Sequence, residues 1–443
     1  MAVEKRRNGA FPQDEVYSNF VRQRRRVGAF FRTLFLLATA LGVAILALLV
    51  LDVVNDAFGY VAIQNRIEPE ALIERHYETQ MLAMPPTLSS EDHGETQVLG
   101  DSLKELPAED LLAILTDNIS AGRWRALNAE SLLTERSQNE LYELVLSLVV
   151  RPTVVNSWSL SESLFNRAEI KAEVAAIPNA VMEFKAWLNW NFLISPQSSN
   201  PALAGIRTAI LGSIWVTLIA FLVAVPLGVG ASTYLEEYSK GSKLDGLIET
   251  NINNLAGVPS IIYGMLGLAV FVRYFGHFTS GVAFGAADPS TASGPTIVSA
   301  GLTLGLLILP LVIINAREAI RAVPRAFREA SYGLGATKWQ TTWNHVLPNA
   351  IPGILTGVIL AVSRAFGETA PLIVVGVSTF IVVDPSGPFS KFTILPVQIY
   401  QWTSRPQEEF QRLAAAAILA LLFLLLALNA TAIFLRNRFK RTY

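Results

Sequence analysis

The 443-residue sequence contains no cysteine and only four histidines. The absence of cysteine excludes disulfide bonds and any metal or redox site built on thiolates. The histidines show none of the spacings that metal ligands have. We therefore expect no resident cofactor or metal, and we expect any part of the chain outside the cytoplasm to be held by packing alone. The histidines are His76, His93, His277 and His345.

A nucleotide-binding P-loop is also missing. No G-x-x-x-x-G-K-[ST] sequence occurs, and the similar segment GLGATK at 333–338 lacks the required spacing. The chain is therefore predicted to have no ATPase site of its own and not to be an enzyme. Any energy-driven activity must draw on a partner or on an ion gradient.

Charged residues are scarce, at 16% of the chain, whereas 51% of the residues are hydrophobic. This composition is too apolar for an ordinary soluble protein. The apolar residues form six runs long enough to span a membrane, and Pro259-Ser260 is expected to break the third run. The sequence predicts a polytopic α-helical membrane protein. The six predicted spans lie within 33–52, 208–234, 255–272, 297–314, 351–383 and 413–435.

These runs divide the chain into an N-terminus, a first transmembrane helix, a separate domain, a membrane core and a tail. In the domain, residues 60–64 alternate like a strand, and 107–119 and 131–150 have helical periodicity, which predicts a mixed, mostly helical fold. Nothing in the domain indicates its role. The predicted parts are 1–32, 33–52, 53–200, 201–435 and 436–443.

Lysine and arginine are concentrated at both ends of the chain and in the loop 316–350, and they are absent from the loop 276–294. The positive-inside rule then predicts that both termini and the loop 316–350 are cytoplasmic. The domain 53–200 would be extracytoplasmic. A basic run such as 1–32 can also bind nucleic acid, but here an apolar run follows it at once, so no nucleic-acid partner is expected.

The cytoplasmic loop 316–350 has the pattern of two short helices, separated near Gly333 and Gly335. One interpretation is a helical hairpin that packs only on its own protein. The loop also resembles the EAA loop of bacterial ABC-importer permeases, with Ser331 and His345 in place of the usual Ala and Ile. That resemblance implies that the loop docks on an ATPase subunit and transmits force to the membrane core. The matching residues are Glu329, Ala330, Gly335, Leu347 and Pro348.

Two charged residues, Arg364 and Glu368, lie within the apolar run 351–383. Four residues apart on a helix, they would share one face and could pair. A charge at membrane depth costs roughly 2.5–3.5 kcal/mol, so such residues face a bundle interior or an aqueous path. They are either a buried pair that only fixes packing or a site for an anionic substrate. The guanidinium fork of arginine suits an anion.

The segment SRAFGETAPL, with LPVQIYQWTSRPQEEF further on, resembles the permeases of bacterial phosphate-specific (Pst) ABC importers, and most closely their PstA-type subunit. The resemblance covers about residues 200–434. It implies a type I ABC-importer permease with six transmembrane helices, in which Arg364 and Glu368 lie on the substrate path. It also implies inward movement of inorganic phosphate by alternating access across the bacterial inner membrane.

The implied partners are a homologous second permease, a cytoplasmic ABC ATPase dimer that binds the ATP, and an extracytoplasmic phosphate-binding protein. Two alternatives stay open from the sequence. The EAA-like loop is shared by importers of other oxyanions, such as sulfate, molybdate or phosphonate. A membrane-anchored envelope sensor would instead use the domain 53–200 as its ligand-binding part.

Overall fold

The computed structural model describes residues 15–80, 101–130, 133–239, 241–286 and 294–439. The ends of the predicted basic N-terminus and tail, and the middle of the predicted loop 276–294, lie outside the described residues. The chain divides into two compact units at residues 55 and 56.

The first unit is helical. Helix α1, Glu15–Ala57, runs through it and ends two residues inside the second unit. Its membrane-spanning part, Arg22–Ala57, has 36 residues. At about 1.5 Å per residue this part is about 54 Å long, which exceeds the roughly 30 Å of a hydrocarbon core. The helix is therefore longer than the predicted span 33–52, because the basic residues before the apolar run continue it.

The second unit begins with a three-stranded antiparallel sheet, in which β1 lies between the two other strands. The predicted strand at 60–64 is confirmed. Ala62 of the central strand is fully buried, and it packs with Ile170 and Val174. The strands are β1 (Phe58–Gln64), β2 (Thr153–Ser157) and β3 (Ala180–Ala186).

Short helices surround this sheet, and four of them share a buried leucine-rich core. The helices predicted around 107–119 and within 131–150 are confirmed as α4 and α6. Helix α6 starts at a capping box in which Ser137 and Glu140 satisfy each other's backbone amides. The helices are α2 (Pro69–Gln80), α3 (Asp101–Lys104), α4 (Ala108–Asn118), α5 (Ala121–Glu130), α6 (Gln138–Val145), α7 (Leu160–Phe165), α8 (Arg167–Ala175) and α9 (Trp190–Ile194).

The membrane core follows. Over the residues that the structure describes, five helices are long and apolar enough to cross a membrane, and the number is six when a bent pair of helices is counted as one span. The prediction of six transmembrane helices is thereby confirmed. Besides α1, the long helices are α10 (Arg207–Thr233), the bent pair α11 (Lys243–Ala256) and α12 (Ser260–Gly267), then α14 (Ile297–Arg321), α17 (Leu347–Gly367) and α20 (Glu408–Phe439).

Small residues let α10, α14 and α17 pack closely. A Cβ on Gly301 of α14 would lie 2.6 Å from the Ile219 side chain of α10, and a Cβ on Gly357 of α17 would overlap Asn315 of α14. Within a membrane, such close approach supplies the van der Waals contact that associates helices. These three helices form the main buried core of the unit.

Two features of the membrane core follow from proline. Pro259 caps α12, and the pair α11–α12 is bent by 105° there, which confirms the predicted break. Pro396 lies in the first turn of a further short helix, in which Trp402 is fully buried. The shorter helices are α13 (Gly276–Thr279), α15 (Arg325–Gly333), α16 (Lys338–Thr341), α18 (Ala370–Val375) and α19 (Leu395–Thr403).

Candidate functional site

Arg364 lies in the last turn of α17, at the end of an otherwise apolar helix. Its side chain is exposed, and it has no hydrogen bond or ion pair with any described residue. The Tyr263 hydroxyl on α12 donates a hydrogen bond to the Leu255 carbonyl at 2.7 Å. This hydroxyl also interacts electrostatically with the Arg364 guanidinium. Arg364 is therefore a cation near the end of a candidate membrane span, and no described residue accepts a hydrogen bond from it.

Glu368 does not share a helix face with Arg364, so the shared face that helical spacing would give these two residues is not formed. Helix α17 ends at Gly367, and Glu368 has extended backbone angles of φ −81° and ψ 124°. The chain must leave the helix here because Pro371 opens the next one. Glu368 is half-buried and forms no ion pair with Arg364. The two charges lie near each other in sequence but are not joined.

A polar contact beside Arg364 was not predicted. Ser363 donates to the Asn429 side chain of α20 at 2.5 Å, which joins α17 to the last membrane helix. Asn429 lies inside the apolar run 413–435, and a polar residue in such a run commonly bonds across helices. The position of Asn429 within this apolar run could therefore have indicated the contact from the sequence.

The loop 316–350 forms the predicted pair of helices, α15 and α16. Pro324 caps α15, and Gly335 reverses the chain with φ +83°, a value that favours glycine. Thr337 then starts α16 in a capping box with Gln340. We call residues 325–346 the coupling hairpin.

The residues that match the EAA pattern lie along this hairpin and at its exit. Glu329 and Ala330 are exposed on α15, whereas Leu347 and Pro348 are half-buried at the start of α17. His345 is exposed, and its neighbour Val346 is fully buried. Val346 therefore provides the apolar anchor, and histidine at 345 needs no buried partner.

Ser331, which departs from the EAA pattern, has a structural role. Ser331 is buried on α15, and its hydroxyl lies 2.9 Å from the hydroxyl of Thr341 at the end of α16. This hydrogen bond joins the two helices of the hairpin. The sequence did not predict the contact, because alanine is usual at position 331 in the pattern.

An ion pair fixes the hairpin to the end of α10. The Arg328 guanidinium donates to the Glu237 carboxylate at 2.6 and 3.0 Å, and to the carbonyls of Val323 and Ile320 at 2.7 and 3.0 Å. The Lys338 ammonium donates to the Glu237 carbonyl at 3.1 Å. All the nitrogens of Arg328 are therefore used inside the protein.

A second acidic residue, Glu236, binds the end of α14. It accepts hydrogen bonds from Arg317 at 2.5 Å and from Arg321 at 2.8 Å, and Arg317 also pairs with Glu249 at 2.8 Å. The basic residues of the loop thus have two roles. Besides giving the loop the positive charge from which its orientation is predicted, they join three membrane helices and the hairpin at one end of the bundle.

The outer side of the coupling hairpin exposes large apolar side chains. Leu334 is 90% exposed, and the rings of Trp339 and Trp343 are exposed and stack with their centroids 5.4 Å apart. Tyr332 adds a partly exposed ring. Tryptophan and leucine grouped in this way on a polar hairpin are typical of a protein-binding surface.

Comparisons with known proteins agree with this arrangement. The family model described as "Binding-protein-dependent transport system inner membrane component" matches residues 224–442. The probable ABC transporter permease protein YqgI of Bacillus subtilis is 36% identical over 186 residues, which are 42% of this chain and 58% of that protein. The chain thus covers less than two thirds of YqgI.

Two other relatives are covered more fully. The probable ABC transporter permease protein YqgH of Bacillus subtilis is 30% identical over 265 residues, which are 59% of this chain and 79% of that protein. The phosphate transport system permease protein PstA of Xylella fastidiosa is 32% identical over 241 residues, which are 54% of this chain and 77% of that protein.

Proposed function

The chain belongs to the family of binding-protein-dependent transport system inner membrane components, and from this membership we propose that it is the permease subunit of an ATP-driven importer of inorganic phosphate. Its six membrane helices and its coupling hairpin fit the predicted type I ABC-importer permease. The similarity to a phosphate transport permease supports the substrate.

The observation that carries the proposal is the Arg364 side chain. An exposed guanidinium at the end of an apolar helix, with no partner in the described part of the chain, is costly in a membrane unless it meets water or an anion. Its fork of donors matches the oxygens of phosphate. Glu368, four residues on, has an acceptor for the proton that a partly protonated phosphate carries.

The coupling hairpin gives the chain its means of receiving energy. We infer that the exposed surface of Leu334, Trp339 and Trp343 docks on a cytoplasmic ATPase dimer, which binds and hydrolyses ATP. Glu329, Ala330 and the turn at Gly335 lie on the same hairpin. Leu347 and Pro348 continue into α17, so movement of the hairpin would move the helix that carries Arg364.

The remaining partners and the orientation complete the proposal. A homologous second permease would enclose the substrate path with this chain, and an extracytoplasmic binding protein would deliver phosphate. Both termini and the coupling hairpin would be cytoplasmic. Residues 53–200 would then be an extracytoplasmic domain, and transport would proceed by alternating access of the Arg364 site to the two sides.

The test is uptake of radiolabelled phosphate by cells that lack other phosphate importers. Arg364→Ala is expected to abolish uptake while the complex with the ATPase still purifies, and Arg364→Lys is expected to restore only part of it. Arg273→Ala is the matched control, since Arg273 is an exposed arginine in the helical segment Leu268–Tyr274, which continues the helix that carries Tyr263.

Two outcomes would contradict the proposal. Normal phosphate uptake by Arg364→Ala would remove the arginine from the path. Uptake that sulfate, molybdate or phosphonate competes away more effectively than unlabelled phosphate would assign the transporter to another oxyanion.

A further inference from the structure

A partly enclosed cavity of about 230 Å³ opens beside β3, far along the chain from Arg364 and the coupling hairpin. Side chains two residues apart on a strand point to the same face, and the alternation continues past the end of β3. Glu183, Lys185 and Trp187 accordingly all line the cavity. The wall opposite comes from helix α6, from residues 189–204 and from Leu413 of α20.

Lys185 is the cation of this cavity. Its ammonium lies 4.4 Å from the centre of the Trp187 ring, and its hydrogen bond to the Ala202 carbonyl is long, at 3.4 Å. Burial lowers the pKa of Lys185 to about 8, although the negative charge of Glu183 opposes that shift. An ammonium has three hydrogens to donate. The described partners use one of them, so a desolvated cation faces the cavity with donors to spare.

The same cavity holds an anionic group and unused amides. Glu143 of α6 lines it, and burial raises the pKa of the Glu143 carboxyl. The side-chain amides of Asn65 and Asn191 also line it, and neither has a hydrogen bond with a described residue. The indole N–H of Trp187 is buried, and no described residue accepts a hydrogen bond from it. Polar groups without partners in a concave site are the usual mark of a ligand site.

We propose that this cavity binds a small zwitterion that carries one carboxylate and one ammonium, such as a free amino acid. The carboxylate would accept hydrogen bonds from Lys185 and from an asparagine amide, and the ammonium would donate to Glu143. Trp187, together with Tyr142 and Phe192, gives apolar surface for the rest of the molecule.

The charges of the lining favour a zwitterion over a simple anion. Glu143 and Glu183 line the cavity together with Lys185, so a ligand that brings only negative charge would face carboxyl groups as well as the ammonium. A ligand with charge of both signs satisfies Lys185 and a carboxylate together. The site therefore differs in chemistry from the one proposed at Arg364, and neither proposal depends on the other.

The position of the cavity also connects it to the membrane core. Leu413 lies near the start of α20, and Ala202 and Ala204 belong to the segment that leads into α10. A ligand held against Lys185 would contact the sheet region, the segment that precedes α10, and Leu413 of α20.

The experiment measures binding to the full chain in lipid nanodiscs. The probes are a tritiated mixture of the standard amino acids and, separately, radiolabelled inorganic phosphate. Lys185→Met removes the cation and keeps the length of the side chain, and Glu143→Gln removes the carboxylate. Lys171→Met is the control, since Lys171 is an exposed lysine on α8 in the same region.

We expect saturable binding of amino acid to the wild-type chain and to Lys171→Met. Binding should weaken about tenfold or more in Lys185→Met, because each charge-assisted hydrogen bond contributes strongly in a desolvated site. Glu143→Gln should also weaken it. Absence of amino-acid binding, equal binding by all four chains, or binding of phosphate alone that depends on Lys185 would each overturn the assignment.

Discussion

Removing the Arg328 side chain should detach the coupling hairpin from the membrane core. In Arg328→Met the Glu237 carboxylate, which is buried, loses its cation, and the carbonyls of Val323 and Ile320 lose their donors. Removing one member of a buried pair costs about 3–5 kcal/mol. Arg328 keeps 17% of its side chain exposed, so we take the lower end, about 3 kcal/mol.

Hydrogen–deuterium exchange of the purified chain measures this loss directly. An opening free energy lowered by about 3 kcal/mol makes exchange faster by about two powers of ten in residues 325–346. Arg325→Met is the matched control, because Arg325 is an exposed arginine of the same helix and has no hydrogen bond or ion pair with a described residue. In Arg325→Met the backbone amides of the hairpin should exchange at the wild-type rate, because a substitution at an exposed position changes the stability by only about 0.5 kcal/mol.

The double variant Arg328→Met/Glu237→Leu separates the ion pair from a general weakening of the hairpin. If the cost comes from an unpaired buried carboxylate, removing that carboxylate should recover much of the protection. Unchanged exchange in Arg328→Met would refute the reasoning. Equal exchange in the single and double variants would show that the carbonyl contacts, and not the ion pair, hold the hairpin.

Three further predictions rest on other contacts. Ser331→Ala leaves the buried Thr341 hydroxyl unpaired, which should lower the stability of the hairpin by about 1–3 kcal/mol, as measured by hydrogen–deuterium exchange. Adding Thr341→Val should restore that stability. No loss of stability in the single variant would contradict this prediction. Because burial lowers the pKa of Lys185 to about 8, the affinity for amino acid should fall as the pH rises through that value and the ammonium loses its proton. An affinity that stays constant above that pH would count against a role for Lys185. Gly376→Ala should lower the free energy of unfolding by at least about 1 kcal/mol, because φ is +108° at this position and the new Cβ would lie 2.9 Å from Pro295. An unchanged melting temperature would contradict the expected strain.

The membrane spans and the helix breaks could be predicted because their causes are local. A run of apolar residues is long enough to cross a bilayer whatever surrounds it, and Pro259 ends a helix through its own ring. The two helices of the coupling hairpin were predictable for the same reason. Gly335 and Thr337 supply the turn and the cap within a few residues of each other.

The sequence did not predict the structure where a local pattern is compatible with more than one conformation of the chain. Arg364 and Glu368 have helical spacing, but spacing pairs them only if the helix continues, and it ends at Gly367. The short helix Leu395–Thr403 was not predicted, because it is stabilised by burial of Trp402 and therefore depends on packing.

The sequence by itself determined the class of protein, its membrane spans and the presence of a coupling hairpin, since composition and periodicity act over one turn or one span. Only the tertiary structure decided which charges are free and which are paired. Arg328 meets Glu237 across 91 residues, and Lys185 meets the Ala202 carbonyl beside a cavity, whereas Arg364 meets neither. Such contacts depend on how distant segments pack, and no local pattern encodes that packing.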